Sequence, residues 1–329
     1  MSIVYVRTNM SRKERFRIST KIIRVTHELF VRKESMAKEP SHINDIEKNY
    51  KFIDKRYEFL KQPKLLKKGK DFIDFEFIPS KSLFYKAEES LINKRFNDVL
   101  NDLSVVNEII NKFESEKVNT YKSRGFIELF DPESKFSDEV ERGCIKDIPF
   151  DITSDNLVEN QELELYLIDP EWFIRFSIET NYLKFRIIYS LAIRLQKVIK
   201  TLVSEDFEVV NIYDDLYIPT KWIEALNLDI KMFPRFIYYE VQFQKAHNYL
   251  YINYDNYDFS NLGNKYSSRS KKNRALVNEA LDGLININDL EDNPKSSYND
   301  LREELENIKN SRLFRFKEKL NKLRWLKQK

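Results

Sequence analysis

Three histidines, His27, His42 and His247, and one cysteine, Cys144, are the chain's whole supply of imidazole and thiolate. None of the histidines stands one helical turn from another, and Cys144 is alone. A zinc site built from such side chains needs three or four ligands, so no metal site and no cofactor is expected. Carboxylates offer the remaining route. Asp214 and Asp215 fall on an expected turn, and Glu240-Val241-Gln242 on a later expected strand. Such a set loosely resembles a Mg²⁺-dependent nuclease core, where the metal generates hydroxide. Residues 216–235 interrupt it with a helix where a direct hairpin is usual, and Glu240 reads more simply as the polar face of a half-exposed strand.

Phosphate cradles are missing. The chain has five glycines in 329 residues, at 69, 125, 143, 263 and 283, and neither G-x-x-x-x-G-K-[ST] nor G-x-G-x-x-G occurs. That speaks against P-loop NTPases and dinucleotide enzymes, whose glycines let the backbone approach pyrophosphate. There is no G-x-S-x-G, and Cys144 lies in an acidic stretch that opposes thiolate formation. No recognisable enzyme active site results, and the chain reads as non-enzymatic.

Basic and aromatic residues are the positive signal. Arg235, Lys245 and His247 stand near Tyr249, Tyr251 and Tyr254, and a polar basic link carries Arg269, Lys271, Lys272 and Arg274. Cations on a wing or helix neutralise phosphates, and a helix presents side chains to the major groove. These residues point to a nucleic-acid-binding protein of replication, segregation or mobile-element type, with DNA ahead of RNA. The alternatives are a docking subunit of a larger assembly and, third, the Mg²⁺-dependent nuclease.

The charge map is uneven. Residues 1–70 carry a net charge of +11, residues 71–180 carry −13 and residues 181–329 carry +5. Basic ends around an acidic middle suit a charged partner, or ends that fold back on the middle. No apolar run is long enough to span a bilayer and no secretory leader is apparent, so a cytoplasmic protein without membrane contact is expected. The lone cysteine agrees with a reducing compartment.

The elements that must position these residues suggest an α+β fold, predominantly helical, in two parts. The first, 1–150, is a basic N-terminal region plus a helical domain. In it, Ile3 and Tyr5 read as a strand, Ile18, Ile22, Val25 and Leu29 as a helix, 44–62 as a second helix and 71–78 as an alternating strand. Residues 82–117 hold a seam at 92–113, with Ile92, Phe96, Val99, Leu103, Val106, Ile110 and Phe113 spaced alternately by four and three. An intrachain bundle is its first reading and self-association its second. Residues 120–161 read as a linker or surface loop, 162–168 as a strand closed by Asp169-Pro170, and 171–203 as one or two helices. The second part, 160–260, is winged-helix-like: strand 209–212, a short helix after Pro219, then a β-hairpin through Ile237–Phe243 and Tyr249–Tyr254. Residues 261–329 add the basic link and an amphipathic helix at 300–327, a second docking candidate.

Overall fold

The computed structural model of the chain describes residues 2–160, 162, 164–203, 207–213, 216–248 and 265–266. The chain divides into two units, Met1–Val277 and Asn278–Lys329, and every described residue belongs to the first. The expected helix at 300–327, the basic link with Arg269, Lys271, Lys272 and Arg274, and the turn at Asp214 and Asp215 lie outside the described residues.

The basic N-terminal region is largely a sheet, with one helix, rather than helical. Strands β1 (Ser2–Thr8), β2 (Ile18–Val25) and β3 (Glu28–Ser35) form an antiparallel meander; after helix α1 (Ser41–Arg56), β4 (Leu65–Lys68) and β5 (Phe72–Glu76) complete a five-stranded sheet in the order β1-β2-β3-β5-β4. The helix expected through Ile18, Ile22, Val25 and Leu29 is therefore a hairpin, turned at Thr26 in the left-handed backbone region (φ 52°). Its β-branched density (Ile18, Thr20, Ile22, Ile23, Val25, Val31) favours a pleated surface and outweighs the accidental four-three spacing. Helix α1 buries His42, Ile43, Ile46, Asn49, Tyr50 and Ile53, a stripe along one helical face. Ile43, Ile46 and Tyr50 of that stripe join Ile18, Ile73 and Phe75 of the sheet in a small core.

From residue 83 onward the described chain is built on helices. These are α2 (Leu83–Ile92), α3 (Phe96–Lys112), α4 (Arg124–Phe130), α5 (Thr180–Val203), α6 (Thr220–Ala225) and α7 (Phe233–His247). Short strands stitch them together. β6 (Ser115–Val118), β7 (Arg142–Ile145) and β12 (Ile178–Glu179) form one small sheet. β8 (Ile148–Pro149) pairs with β11 (Phe173–Ile174), and β9 (Leu157–Glu159) with β10 (Leu165–Leu167). β13 (Val209–Tyr213) lies between β14 (Leu216–Pro219) and β15 (Lys265–Tyr266).

The seam is used inside the chain. Val99, Leu103, Val106, Ile110 and Phe113 are buried, and α3 packs on α2, α5 and α6. Lys94, in the left-handed region (φ 57°), breaks the expected long helix into α2 and α3 and leaves Ile92 exposed.

Two expectations fail here. Residues 120–161 are not a surface linker: Phe126, Phe130, Ile145, Ile148 and Phe150 are core residues. The winged helix fails at its hairpin, because the segment holding Ile237, Tyr239, Val241 and Phe243 is helix α7. In that helix Phe233 and every residue from Arg235 through Phe243 are buried. With all sides buried, alternation says nothing about a single face. Pro234 opens this helix, where a missing N–H costs no hydrogen bond, rather than preceding a strand. Among the described residues no helix is long and apolar enough to cross a membrane.

Candidate active site

The first-part sheet presents two rows of side chains on one face. Residues paired across antiparallel strands share a face. The pairings Tyr5–Ile22, Ile22–Val31 and Val31–Phe75 make one largely apolar row. The pairings Arg7–Thr20, Thr20–Lys33 and Lys33–Ile73 make the next, which carries cations. A cleft of about 410 Å³ lies against both rows; its other wall includes Asp151, Asn156, Val158, Ile168, Asp169 and Glu171.

That second wall is set by two short strand pairs. In the β9–β10 hairpin Leu157 pairs with Leu167, and one residue further Ile168 N–H donates to Asn156 O at 2.8 Å. Asn156 is thus paired with Ile168, the residue before Asp169, and both Asn156 and Asp169 line the cleft. In the β8–β11 pair Phe150 N–H donates to Trp172 O at 2.9 Å, and Trp172 N–H donates to the Asp151 carboxylate at 3.0 Å. The loop between β8 and β9 closes on itself, with Asn156 Nδ2 donating to Asp151 O at 3.1 Å. Arg186 of α5 supports it from below. Its guanidinium donates to Phe150 O, lies 3.4 Å from the Phe150 ring centroid and is neutralised by Glu240 at 2.8 Å.

Charge concentrates where the walls meet. Lys33, 2% exposed, donates to Asp169 and, at 2.7 Å, to Glu171. Arg12, from the connection between β1 and β2, donates to the other Glu171 oxygen. Asn49 of α1 donates to Glu171 O at 3.2 Å. Burial would raise the Glu171 carboxyl, but Lys33 and Arg12 together outweigh it and hold it below the usual range. Burial first, then Asp169 and Glu171 beside it, push Asp151 up to about 8. Burial and Glu171 also raise Asp169.

Two side chains at this end of the cleft could serve a divalent cation. Asp169 gives Oδ1 to Lys33, which leaves its second oxygen, and Asn156 spends its amide nitrogen on Asp151 and keeps Oδ1. Both are hard oxygen donors. Among the described residues no group of three or more His, Cys, Asp or Glu could hold an ion by itself. A site of two protein oxygens suits Mg²⁺, which usually takes few carboxylates and completes its shell with water and phosphate.

Those residues singled out in the sequence that the structure describes lie elsewhere. Arg235 is buried and donates to Glu179 at 2.6 Å, which makes it an interior ion pair. Glu240 is an interior partner of Arg186, Tyr182 and Gln244 on a helix, not the polar face of a strand. His247 ends α7 within a ring cluster of Phe16, Trp172 and Phe243, and Lys245 precedes it, half-buried, on that helix. The last two therefore stand on a helix and not at a wing tip. The residues that do converge carry a signal in the sequence: Asp151 and Asn156 at a D-x-x-x-x-N spacing, Asp169 two residues after β10, and Lys33 on β3. A search for that spacing followed by strand-Asp would have found them.

No protein-family model matches the chain, and no curated protein matches it in sequence. Solved structures do. The aminoglycoside phosphotransferase APH(4)-Ia is similar at 11% identity over 74% of this chain and 88% of that one, with a TM-score of 0.36. The choline kinase LicA from Streptococcus pneumoniae is similar at 13% identity over 69% and 82%, with a TM-score of 0.32. Likenesses this distant say nothing of this chain's chemistry. The helical α7 and the interior position of Arg235 remove the wing and its first phosphate contact, and with them the reading as a non-enzymatic nucleic-acid-binding protein.

Proposed function

We propose that the protein is a phosphotransferase, moving the terminal phosphoryl group of a nucleoside triphosphate to a hydroxyl acceptor. One observation carries the reading: Lys33 on β3, the Asp151–Asn156 loop and Asp169 meet at one end of a single cleft. Phosphoryl transfer needs little covalent chemistry from a protein. It needs positioned cations, a metal held by an acid and an amide, and a base for the acceptor proton. The apolar row Ile22, Val31 and Phe75, facing Val158 and Ile168, suits a base. The row with Arg7 and Lys33 suits phosphates.

The roles follow from position. Asp169 and Asn156 would hold Mg²⁺, which neutralises charge on the phosphates. Lys33 orients the phosphate chain. Asp151 takes the proton of the acceptor hydroxyl as the acceptor oxygen bonds to phosphorus and the bond to the leaving diphosphate breaks. One departure from the protein-kinase plan is clear: the helix acid that usually pairs this lysine is absent from its partners. Glu47 of α1 bonds Lys51 and Lys68 instead, and Lys33 relies on Asp169 and Glu171. Use of a nucleoside triphosphate and the free thiol of Cys144 both support a cytoplasmic setting.

The test is release of labelled phosphate from γ-labelled ATP to water. Slow, Mg²⁺-dependent release is expected, falling at least about a hundredfold in Asp151→Asn. Release that is absent from the wild type, or equal in wild type and variant, would sink the reading.

A further inference from the structure

The segment joining β1 to β2, residues 9–17, overhangs the phosphate end of the cleft without a single glycine. A loop that binds phosphate through backbone amides depends on glycine for close approach. This one is also held in place. Lys13 N–H donates to His247 O at 2.9 Å, Arg17 Nε donates to Arg12 O at 3.0 Å, and Phe16 is buried against His42, Trp172 and His247. Its backbone is therefore committed to α7 and to the core.

Its side chain at position 12 is not. Arg12 lines the cleft together with Lys33, Asp151 and Asp169. Its Nη1 donates to Glu171, and the guanidinium lies 5.6 Å from the Trp172 ring centroid. The arginine fork carries five donors in a plane that matches two oxygens of a phosphate. Glu171 meanwhile serves two cations, Arg12 and Lys33, so either one can exchange it for another anion while the other keeps the carboxylate neutralised.

Resting on the phosphotransferase reading, we propose that Arg12 is a phosphate ligand of the bound nucleotide. It does with a side chain what a glycine-rich loop does with backbone amides, and Glu171 holds it ready when the cleft carries no phosphate. A charge-assisted fork lost from a phosphate weakens binding about tenfold or more.

Calorimetric titration of the full chain with Mg·ATP and, separately, with adenosine tests this. Arg12→Gln is expected to lose about tenfold or more in ATP affinity and to hold adenosine within about twofold, with Arg12→Lys recovering part of the loss. Circular dichroism confirms that each variant is folded, and Arg12→Lys keeps the question open to measurement if Arg12→Gln is not. Unchanged ATP affinity in both variants would overturn the role of Arg12 alone. So would equal losses for ATP and adenosine, the mark of a merely structural residue. A wild type that binds neither ligand would overturn the phosphotransferase reading, and Arg12 with it.

Discussion

Asn156 donates its side-chain amide to the main-chain carbonyl of Asp151, 3.1 Å away, and so ties one end of a six-residue loop to the other. The bond fixes which Asn156 atom remains for a cation. Asn156→Ala is expected to leave the fold intact and to weaken the Mg²⁺-dependent part of nucleotide binding about tenfold, since one ligand and the loop's tie go together. A magnesium titration at fixed ATP reads this. A midpoint that does not move in the variant would contradict it.

Lys33 is enclosed between two carboxylates, and its removal leaves them uncompensated. Lys33→Met is expected to cost the nucleotide-free protein about 3 kcal/mol or more, a size usual for breaking a buried pair from one side. Arg12 still serves Glu171, so Asp169 bears most of the loss. Urea denaturation measures it; a change within about 0.5 kcal/mol would place Lys33 among ordinary surface substitutions.

Glu240 is a support, not a metal ligand. It neutralises Arg186, which in turn holds Phe150 O beside Asp151. Glu240→Ala is expected to destabilise the protein by about 3 kcal/mol, because a buried guanidinium loses its counter-ion. Denaturant unfolding checks the loss. Full wild-type stability in the variant would show that Arg186 does not depend on this carboxylate.

His42 and His247 supply a pH dependence. Burial, chiefly, lowers both to about 4 from the usual 6.5. The unfolded chain therefore binds more protons than the folded one between pH 4 and 6.5, and stability contributed by each ring is lost as pH falls through that window. For His42 the full effect is on the order of 3 kcal/mol. Asp151 and Asp102, raised to about 8 and about 6, titrate in the opposite sense. The comparison is thus between wild type and His42→Asn: from pH 7 to pH 4.5 the wild-type Tm is expected to fall further. Parallel Tm curves would mean that His42 is not held neutral.

Much of the helical part was legible in the sequence because single faces repeat cleanly. The seam through Val99, Leu103, Val106 and Ile110 and the stripe of α1 are such cases. The cleft was hidden for three physical reasons. Ile18, Ile22, Val25 and Leu29 fit a helix by spacing, while the alternation that matters, Ile18-Thr20-Ile22 with Val31-Lys33, crosses two strands and includes a polar and a charged residue. Asp169-Pro170 looks like the turn that ends a strand, which it is; that the turn also carries the site depends on the pairing of Ile168, just before it, with Asn156, 12 positions earlier. And α7, buried on every side, has no face for periodicity to report.

The most direct test of the central claim is calorimetry of the wild-type chain and of Asp169→Asn with ATP, each with and without Mg²⁺. Wild type is expected to bind one ATP with an affinity that Mg²⁺ raises at least about tenfold, and Asp169→Asn to lose that metal-dependent gain. No ATP binding by the wild type, or a Mg²⁺ effect that survives in Asp169→Asn, would contradict a phosphotransferase cleft built on Lys33, Asp151, Asn156 and Asp169.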